Sequence, residues 1–499
     1  MQVSAEQADV KKIRMSFALG VVLFLCGLLL ALPIVHGAEE REWTNSEGRT
    51  IRAKFVSANA QTVTLSMGGK VYVLKLSSLS SESQALASEL AKAQPASRYV
   101  KARPLSKTQQ KVVEQALAAS FSEVRKEDYD FAELSEFDAL LPGNEEVFRS
   151  LVWNAYRKGA ALDEMQPDHK AGKVVSGEYV SPYVVRKVGK MPESGWPLVI
   201  AMHGGGKAPK ALNDSQWRVM QRYYRDHPGE GGYLYLALRA PTDAWNGFYT
   251  GYVYPLVARL IRQMLVCEGA DSDKVFLIGY SHGGYGAFAI GPKMADRFAA
   301  IHSSAAAPTD GESSPKNLLN TPFTFMIGES DLAYGRLKRC LAFDQAVKDL
   351  RGARKEAYPV RMFLKKGFGH GGLPDRDHLE TMMPAVRNPI PDSLVWQPTD
   401  SVVGRFSWLE IPAPAKKQLV EATRTGNRFD IKLEGTESLN LYLDERMVDY
   451  RKPVVVEVNG KTVVDRFLRP SMEVLCRTLL ERGDPKLAFT SKITIEAKP

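Results

Sequence analysis

The sequence predicts an α/β fold: a mostly parallel sheet with helices on both faces, flanked by a small N-terminal β unit and a C-terminal β-rich, sandwich-like unit. Three observations carry this. Between residues 176 and 390, continuous apolar runs alternate with stretches of helical spacing. Such alternation marks parallel strands joined by crossover helices, and strands covered on both faces read as unbroken apolar runs. Before residue 93 and after residue 391, short β-branched segments separated by turn residues replace that rhythm.

The N-terminus reads as a leader. Lys11, Lys12 and Arg14 precede the apolar run "MSFALGVVLFLCGLLLALPIV", and Val35 and Gly37 are small enough for a cleavage point. Residues 1–37 are therefore expected to be a signal peptide, which makes the protein exported: periplasmic, cell-surface or extracellular. An uncut membrane anchor is the alternative, because the run is about long enough to span a bilayer.

Residues 39–92 hold three short strand-like segments, "RTIRAKFVSA", "QTVTLSM" and "VYVLKLSSL", and then "SSESQALASEL", a helix with serine at its N-cap. With Trp43 near the start and Leu79-Ser80 before the helix, this stretch resembles the SH3-like Sla-type homology domain. The resemblance implies a small barrel used as a spacer or a peptide- or surface-contacting module. Residues 93–175 carry helical spacing in "SKTQQKVVEQALAASFSEV" and "NEEVFRSLVWNAYRK" and are expected to pack on the next domain or to link to it. Residues 391–499 return to short strands, with Asn459-Gly460 as a hairpin signal and "SMEVLCRTLLERGD" as one helix.

Composition narrows the function. The net charge of +9 is spread over 499 residues, and the densest basic clusters are pairs such as Lys365-Lys366 and Lys416-Lys417. A nucleic-acid partner is not expected from so dispersed a charge. Cys267, Cys340 and Cys476 remain after the leader, an odd number without a C-x-x-C pair, so neither a disulfide framework nor a thiolate metal site is indicated. With no metal or nucleotide motif elsewhere, no cofactor is expected.

The chemistry centres on "GYSHG", residues 279–283, which follows the apolar run "DKVFLI" and opens a helical stretch. A G-x-S-x-G between a strand and a helix is a nucleophile elbow, whose tight turn lifts the Ser281 hydroxyl clear of the sheet. Serine needs a base, and an acid to orient that base. Their order in such chains is Ser, acid, His. His370, in the Gly-rich "KKGFGHGG" past the last predicted strand, suits the base; His302 reads as a packed strand histidine and His378 as an exposed helix start. Asp331 in "GESDLAYG" follows a predicted strand directly and suits the acid, with Asp310 as its rival.

The oxyanion needs two donors. One is the N–H of His282, next after the nucleophile, and the other is Gly205 or Gly206 of "HGGG", which follows the strand "LVIAM". A loop after another strand, "RAPTDAWNGFYTGYVYP", gathers Trp245, Phe248 and Tyr249 as a candidate substrate wall for a sugar ring or a phenolic acid.

On "AMHGGG", "GYSHGGYGA", "GESD" and "GFGHGG", residues 176–385 resemble the α/β-hydrolase fold, and within it secreted esterases of the feruloyl esterase, acetylxylan esterase and polyhydroxyalkanoate depolymerase type. His282 departs from the Asn, Met or Gln common after this serine. The resemblance implies a serine carboxylesterase acting through an acyl-enzyme on a small-molecule or polymer-linked ester. Cell-surface or polysaccharide contact would come through the flanking β units. Prolyl-oligopeptidase-type peptidases share the order of catalytic residues, so a peptidase stays open. So does a surface-binding protein on an inactive hydrolase scaffold.

Overall fold

The computed structural model describes residues 40–58, 62–67, 70–93, 101–122, 131–309, 311–352, 354 and 356–496. The leader at residues 1–37 and the candidate acid Asp310 lie outside them. No helix among the described residues is long and apolar enough to cross a membrane. Cys267, Cys340 and Cys476 are free thiols, so apolar cores rather than disulfides hold these residues together.

The chain divides between Ala96 and Ser97 into two units. In the first, strands β1 (Glu40–Thr44), β2 (Thr50–Ala58), β3 (Thr62–Met67) and β4 (Lys70–Lys75) pair in chain order as an antiparallel sheet. Helix α1 (Ser81–Ala93) follows, and the Ser80 hydroxyl accepts the Ser83 N–H at 3.3 Å as its N-cap. Trp43 anchors the small core with Ala53, Val63, Leu65, Leu79 and Ala87. Its indole N–H donates to Ala53 O at 3.1 Å, which satisfies the one polar atom of a buried ring.

The second unit begins with helices α2 (Lys107–Ser120), α3 (Glu145–Lys158) and α4 (Ala160–Lys170). Ser106 and Gln109 form a reciprocal capping box that fixes the start of α2. These helices do not merely link. Val113, Leu117, Phe148 and Val152 share one apolar cluster with Met472, Leu475 and Leu479, more than 300 residues later in the chain.

Eight strands then form a mixed sheet: β5 (Lys173–Ser176), β6 (Tyr179–Val188), β7 (Trp196–Met202), β8 (Tyr233–Leu238), β9 (Ala270–Tyr280), β10 (Ala300–Ser304), β11 (Phe323–Gly328) and β12 (Val360–Lys365). Their order is β12-β11-β10-β9-β7-β8-β6-β5. The strands from β12 to β8 are parallel, β6 pairs antiparallel with β8, and β5 pairs antiparallel with β6 at the edge. The sheet thus starts at Lys173, ahead of the expected boundary at residue 176, and β5 and β6 were not foreseen.

Both faces are covered. Along β7, Leu198, Ile200 and Met202 point into one core with α6 (Val253–Cys267), α7 (His282–Lys293) and α8 (Arg336–Arg351). Val199 and Ala201 point into the other, with Met220 of α5 (Lys210–Met220) and Leu379 and Met382 of α9 (Leu379–Met382). The period of two along a strand sends alternate side chains to opposite faces, and every residue of β7 is buried.

Two further sheets follow. One has the order β13 (Ser393–Trp396), β16 (Leu419–Thr425), β17 (Arg428–Glu434), β19 (Val454–Val458), β20 (Lys461–Arg466). The other has the order β14 (Arg405–Phe406), β15 (Leu409–Glu410), β18 (Ser438–Leu443), β21 (Ser491–Glu496). Trp396 stacks on Phe406 with ring centres 5.9 Å apart, and Trp408 meets Phe429 edge-on at 5.7 Å, so aromatic rings join the two sheets. The Asn459-Gly460 turn has φ of 49° and 78°, as a type I′ hairpin requires. Helix α10 (Met472–Arg482) lies between β20 and β21 in the chain. Buried Arg387 ties this region to the central sheet through Asp273 at 2.8 Å and Asp484 at 2.8 Å.

Candidate active site

Strand β9 ends at Tyr280 and α7 starts at His282, which leaves Ser281 alone in the turn. Its backbone sits at φ 53° and ψ −111°, a conformation that a side-chain-bearing residue adopts only where its surroundings impose it. The neighbours do impose it. A β-carbon on Gly279 would meet Gly283 O at 2.1 Å, and one on Gly284 would meet Ser304 O at 2.6 Å. Only glycine lets the chain pass so close to itself. The Ser281 N–H donates to Ser304 O at 2.9 Å and locks the turn to β10.

The structure brings Ser281, His370 and Asp331 together. Ser281 Oγ lies 2.9 Å from His370 Nε2, and His370 Nδ1 lies 2.9 Å from Asp331 Oδ2. With Nδ1–H donated to the carboxylate, Nε2 keeps its lone pair for the serine proton. Asp331 lies just past the end of β11 and His370 past the end of β12, each at the carboxyl end of a parallel strand. The two loops are laced together by Ser330 N–H to Phe368 O at 2.9 Å and Glu329 N–H to Lys365 O at 3.0 Å. Tyr280 adds a hydroxyl donated to His370 O at 2.7 Å. Asp331 is almost fully buried, whereas the His370 side chain is 43% exposed and so open to a substrate and to water.

The glycine loop after β7 approaches the same serine: a β-carbon on Gly204 would stand 3.5 Å from Ser281 Cβ. Gly205 and Gly206 both have positive φ, 120° and 79°. They are not equivalent. The Gly206 N–H is already donated to Asn213 Oδ1 at 3.0 Å, so Gly206 drops out as an oxyanion donor. Asn213, buried on α5, also donates to Ala208 O and to Asp243, which holds the loop from behind. Gly205 and His282 keep N–H groups for which no acceptor is found among the described residues. The positive end of α7 adds to the field where an oxyanion would form.

His282 points its ring away from Ser281, into the protein. Its Nε2 donates to Trp245 O at 2.9 Å, and its ring packs against Phe248 at 5.0 Å and His203 at 6.3 Å. Burial lowers its pKa to about 3, so the ring is neutral. His203 is likewise neutral, lowered to about 4 by burial, and accepts Ala240 N–H at 3.1 Å on Nε2 while Nδ1 donates to Gly204 O at 2.6 Å. Two buried imidazoles thus brace the glycine loop and the aromatic loop against the elbow.

The aromatic residues of this loop fall into two environments. Trp245 is 38% exposed, and with half-buried Tyr249 it lines a cavity of about 360 Å³ that Tyr285, Thr309, Glu312 and Arg339 complete. Tyr285 follows Ser281 by four residues on α7, so the helix that starts after this serine also lines the cavity. Phe248 is fully buried and cannot be part of a substrate wall. Its loop turns it inward, against His203 and His282. Tyr254 is also buried and gives its hydroxyl to Glu312. His302 is buried in β10 as expected, but His378 is buried too rather than exposed, with its ring stacked 3.6 Å from that of His302. Among the described residues no cluster of three or more His, Cys, Asp or Glu is placed to hold a metal ion.

Sequence reasoning missed Arg336 and Asn213. Arg336 donates twice to Asp331 Oδ1, from Nε at 2.8 Å and from the guanidinium NH2 at 2.5 Å. Both residues act across loops whose path the sequence does not give.

No family profile matches the chain, and no curated protein does. Solved structures resemble it at a distance. A thermostable esterase is 21% identical, with a TM-score of 0.33 over 43% of this chain and 62% of that one. An acetyl xylan esterase from Aspergillus awamori is 14% identical, with a TM-score of 0.30 over 41% of this chain and 94% of that one. A putative dipeptidyl aminopeptidase IV from Bacteroides ovatus is 15% identical, with a TM-score of 0.33 over 43% of this chain and 35% of that one. The chain spans less than two thirds of the length of the first and the last. Likeness at this level carries no argument about the reaction.

Proposed function

We propose that the protein is an exported serine hydrolase of α/β-hydrolase type that cleaves carboxylic esters through an acyl-enzyme. The observation that carries this is the unbroken chain of hydrogen bonds from Ser281 Oγ through His370 to Asp331, each link 2.9 Å, with the serine in a strained turn. Ser281 Oγ attacks the carbonyl carbon as His370 Nε2 takes its proton. The oxyanion accepts hydrogen bonds from the N–H groups of His282 and Gly205. Collapse of the intermediate expels the alcohol, which takes the proton from His370. Water, deprotonated by the same nitrogen, then releases the acid and restores Ser281. Asp331 holds the tautomer throughout.

The cavity beside Trp245, Tyr249 and Tyr285 receives the non-reacting end of the substrate in this reading. Its volume, about 360 Å³, suits a ring-sized group. The N-terminal β unit, read as an SH3-like spacer, and the C-terminal sheets supply the surfaces for contact with a polymer or cell surface. The leader supplies export, which N-terminal sequencing of secreted protein checks: a mature start near Ala38 is expected, and a retained Met1 speaks for an anchor.

A fluorophosphonate probe tests the core claim. Wild type should label at Ser281 and Ser281→Ala should stay blank. Folded wild-type protein that does not label leaves a non-catalytic binding protein. A paired panel of acyl esters and peptide amides then separates esterase from peptidase, with hydrolysis of the esters expected and hydrolysis of the amides alone decisive against it.

A further inference from the structure

We propose that Arg336 is a positioning residue of this site, one that fixes the aim of Asp331 at His370 and offsets its charge. The proposal rests on the serine-hydrolase reading above.

The two carboxylate oxygens of Asp331 have separate duties. Oδ2 faces His370 Nδ1 at 2.9 Å, and Oδ1 receives both Arg336 Nε at 2.8 Å and an Arg336 terminal nitrogen at 2.5 Å. The Asp331 side chain is 1% exposed and that of Arg336 is 6% exposed. The local backbone offers no substitute. Asp331 N–H is donated to Gly328 O and Leu332 N–H to Ser330 O, so these loop amides do not hold Oδ1. Without Arg336, a buried anionic oxygen would lose its partners and the carboxylate would be free to rotate Oδ2 away from His370.

The loop is shaped to deliver the guanidinium. Tyr334 and Gly335 both adopt left-handed backbone, φ 55° and 65°, which turns the chain back so that residue 336 returns to residue 331. Leu337 N–H donates to Asp331 O at 3.3 Å and closes the turn. The Tyr334 ring lies 5.3 Å from the Arg336 guanidinium, and Tyr285 lies beside it.

The charge has a direction. A carboxylate alone beside an imidazole favours the imidazolium, and a cation on that carboxylate opposes it. Of the other titratable groups nearby, Tyr280 touches His370 directly, while Glu329 accepts the Gly367 N–H and Asp375 accepts the Tyr223 hydroxyl in neighbouring loops. Among the described residues Arg336 is the cation that reaches the Oδ1 atom of Asp331.

The test is kcat/KM against pH for the full chain with p-nitrophenyl acetate, comparing wild type, Arg336→Gln and Arg336→Lys. In Arg336→Gln the acid limb is expected to move up by about one pH unit. Its plateau kcat is expected to fall about 10- to 100-fold with little change in KM. Arg336→Lys keeps the charge but not the paired donors, so its limb should stay at the wild-type position while kcat falls. Lower plateaus with an unmoved limb in Arg336→Gln reduce Arg336 to a structural role and overturn the proposal. If Arg336→Gln does not fold by circular dichroism, Arg336→Lys decides: a displaced limb or a wild-type kcat overturns it. Fluorophosphonate labelling of wild type separates the two failures. A blank wild type removes the hydrolase reading itself, whereas labelling with an unmoved limb removes only the role of Arg336.

Discussion

A β-carbon on Gly283 would lie 2.2 Å from the Met202 carbonyl oxygen, so the first turn of α7 and the end of β7 touch backbone to backbone. Both backbones are rigid, and neither can retreat without moving Ser281. Gly283→Ala is therefore expected to cost about 1–3 kcal/mol of stability and most of the activity. A denaturant midpoint and an ester assay on the same preparation check this, and a variant with wild-type values in both would show that the elbow can yield.

Asn213 holds the glycine loop proposed to bind the oxyanion by accepting the Gly206 N–H. Asn213→Ala leaves that amide buried without its acceptor and lets Gly205 swing. A kcat loss approaching the roughly 10²–10³-fold typical of a missing oxyanion donor is expected, with KM little changed. Steady-state kinetics on a soluble ester read the split.

Trp245 and Phe248 come from the same loop and should behave differently. Trp245→Ala removes an exposed wall of the cavity and should raise KM more than it lowers kcat. Phe248→Ala empties a fully buried site and should cost about 3–5 kcal/mol of stability. Melting curves and KM values for the two variants distinguish wall from core.

Acid should destabilise the fold through its buried histidines. Burial lowers His282 to about 3, and His203 and His378 to about 4, while His302 is pushed well below the usual range. The unfolded chain binds these protons near pH 6.5 and the folded chain does not. Stability from each is thus complete above about pH 6.5 and falls by about 1.4 kcal/mol per pH unit below it, until the folded group titrates. Urea midpoints taken from pH 7 to pH 4 should drop steeply, and His282→Gln should flatten the slope.

Glu145 works in the opposite sense. It is buried, and burial first, with Asp444 and Glu445 adding to it, raises its pKa to about 8. Between about pH 4.5 and pH 8 the unfolded carboxyl has lost its proton while the folded one keeps it, so stability falls as pH rises through that window. Glu145→Gln mimics the protonated form. It should raise the melting temperature at pH 8 by about 2 °C or more and change little at pH 4.5.

The parallel strands were legible because burial on both faces writes a continuous apolar run, as in "WPLVIAM" and "KVFLIGY". Ser281 stands directly after such a run and Asp331 three residues after another, whereas His370 follows the half-exposed edge strand β12 and stood out through its Gly-rich loop. The edge strands β5 and β6 were not, since "KVVS" and "YVSPYVVRKV" mix exposed and buried positions and sit next to helices. Phe248 and Trp245 look alike in sequence, and only the path of the loop decides which ring faces solvent. The pairing of Arg336 with Asp331 depends on two left-handed residues, one of them Tyr334, a residue type that gives no warning of such a turn.

The shared cluster of α2, α3 and α10 sets a timetable for folding. The apolar faces of Val113, Leu117 and Phe148 wait for Met472, Leu475 and Leu479, and the Met472 N–H closes on Asp138 Oδ1 across 334 positions. During synthesis at about 5–20 residues per second those early helices remain uncovered until the last part of the chain emerges. A nascent or C-terminally clipped molecule therefore carries a sticky, unfinished surface, and the site around Ser281 belongs to a unit whose first helices are the last to be covered.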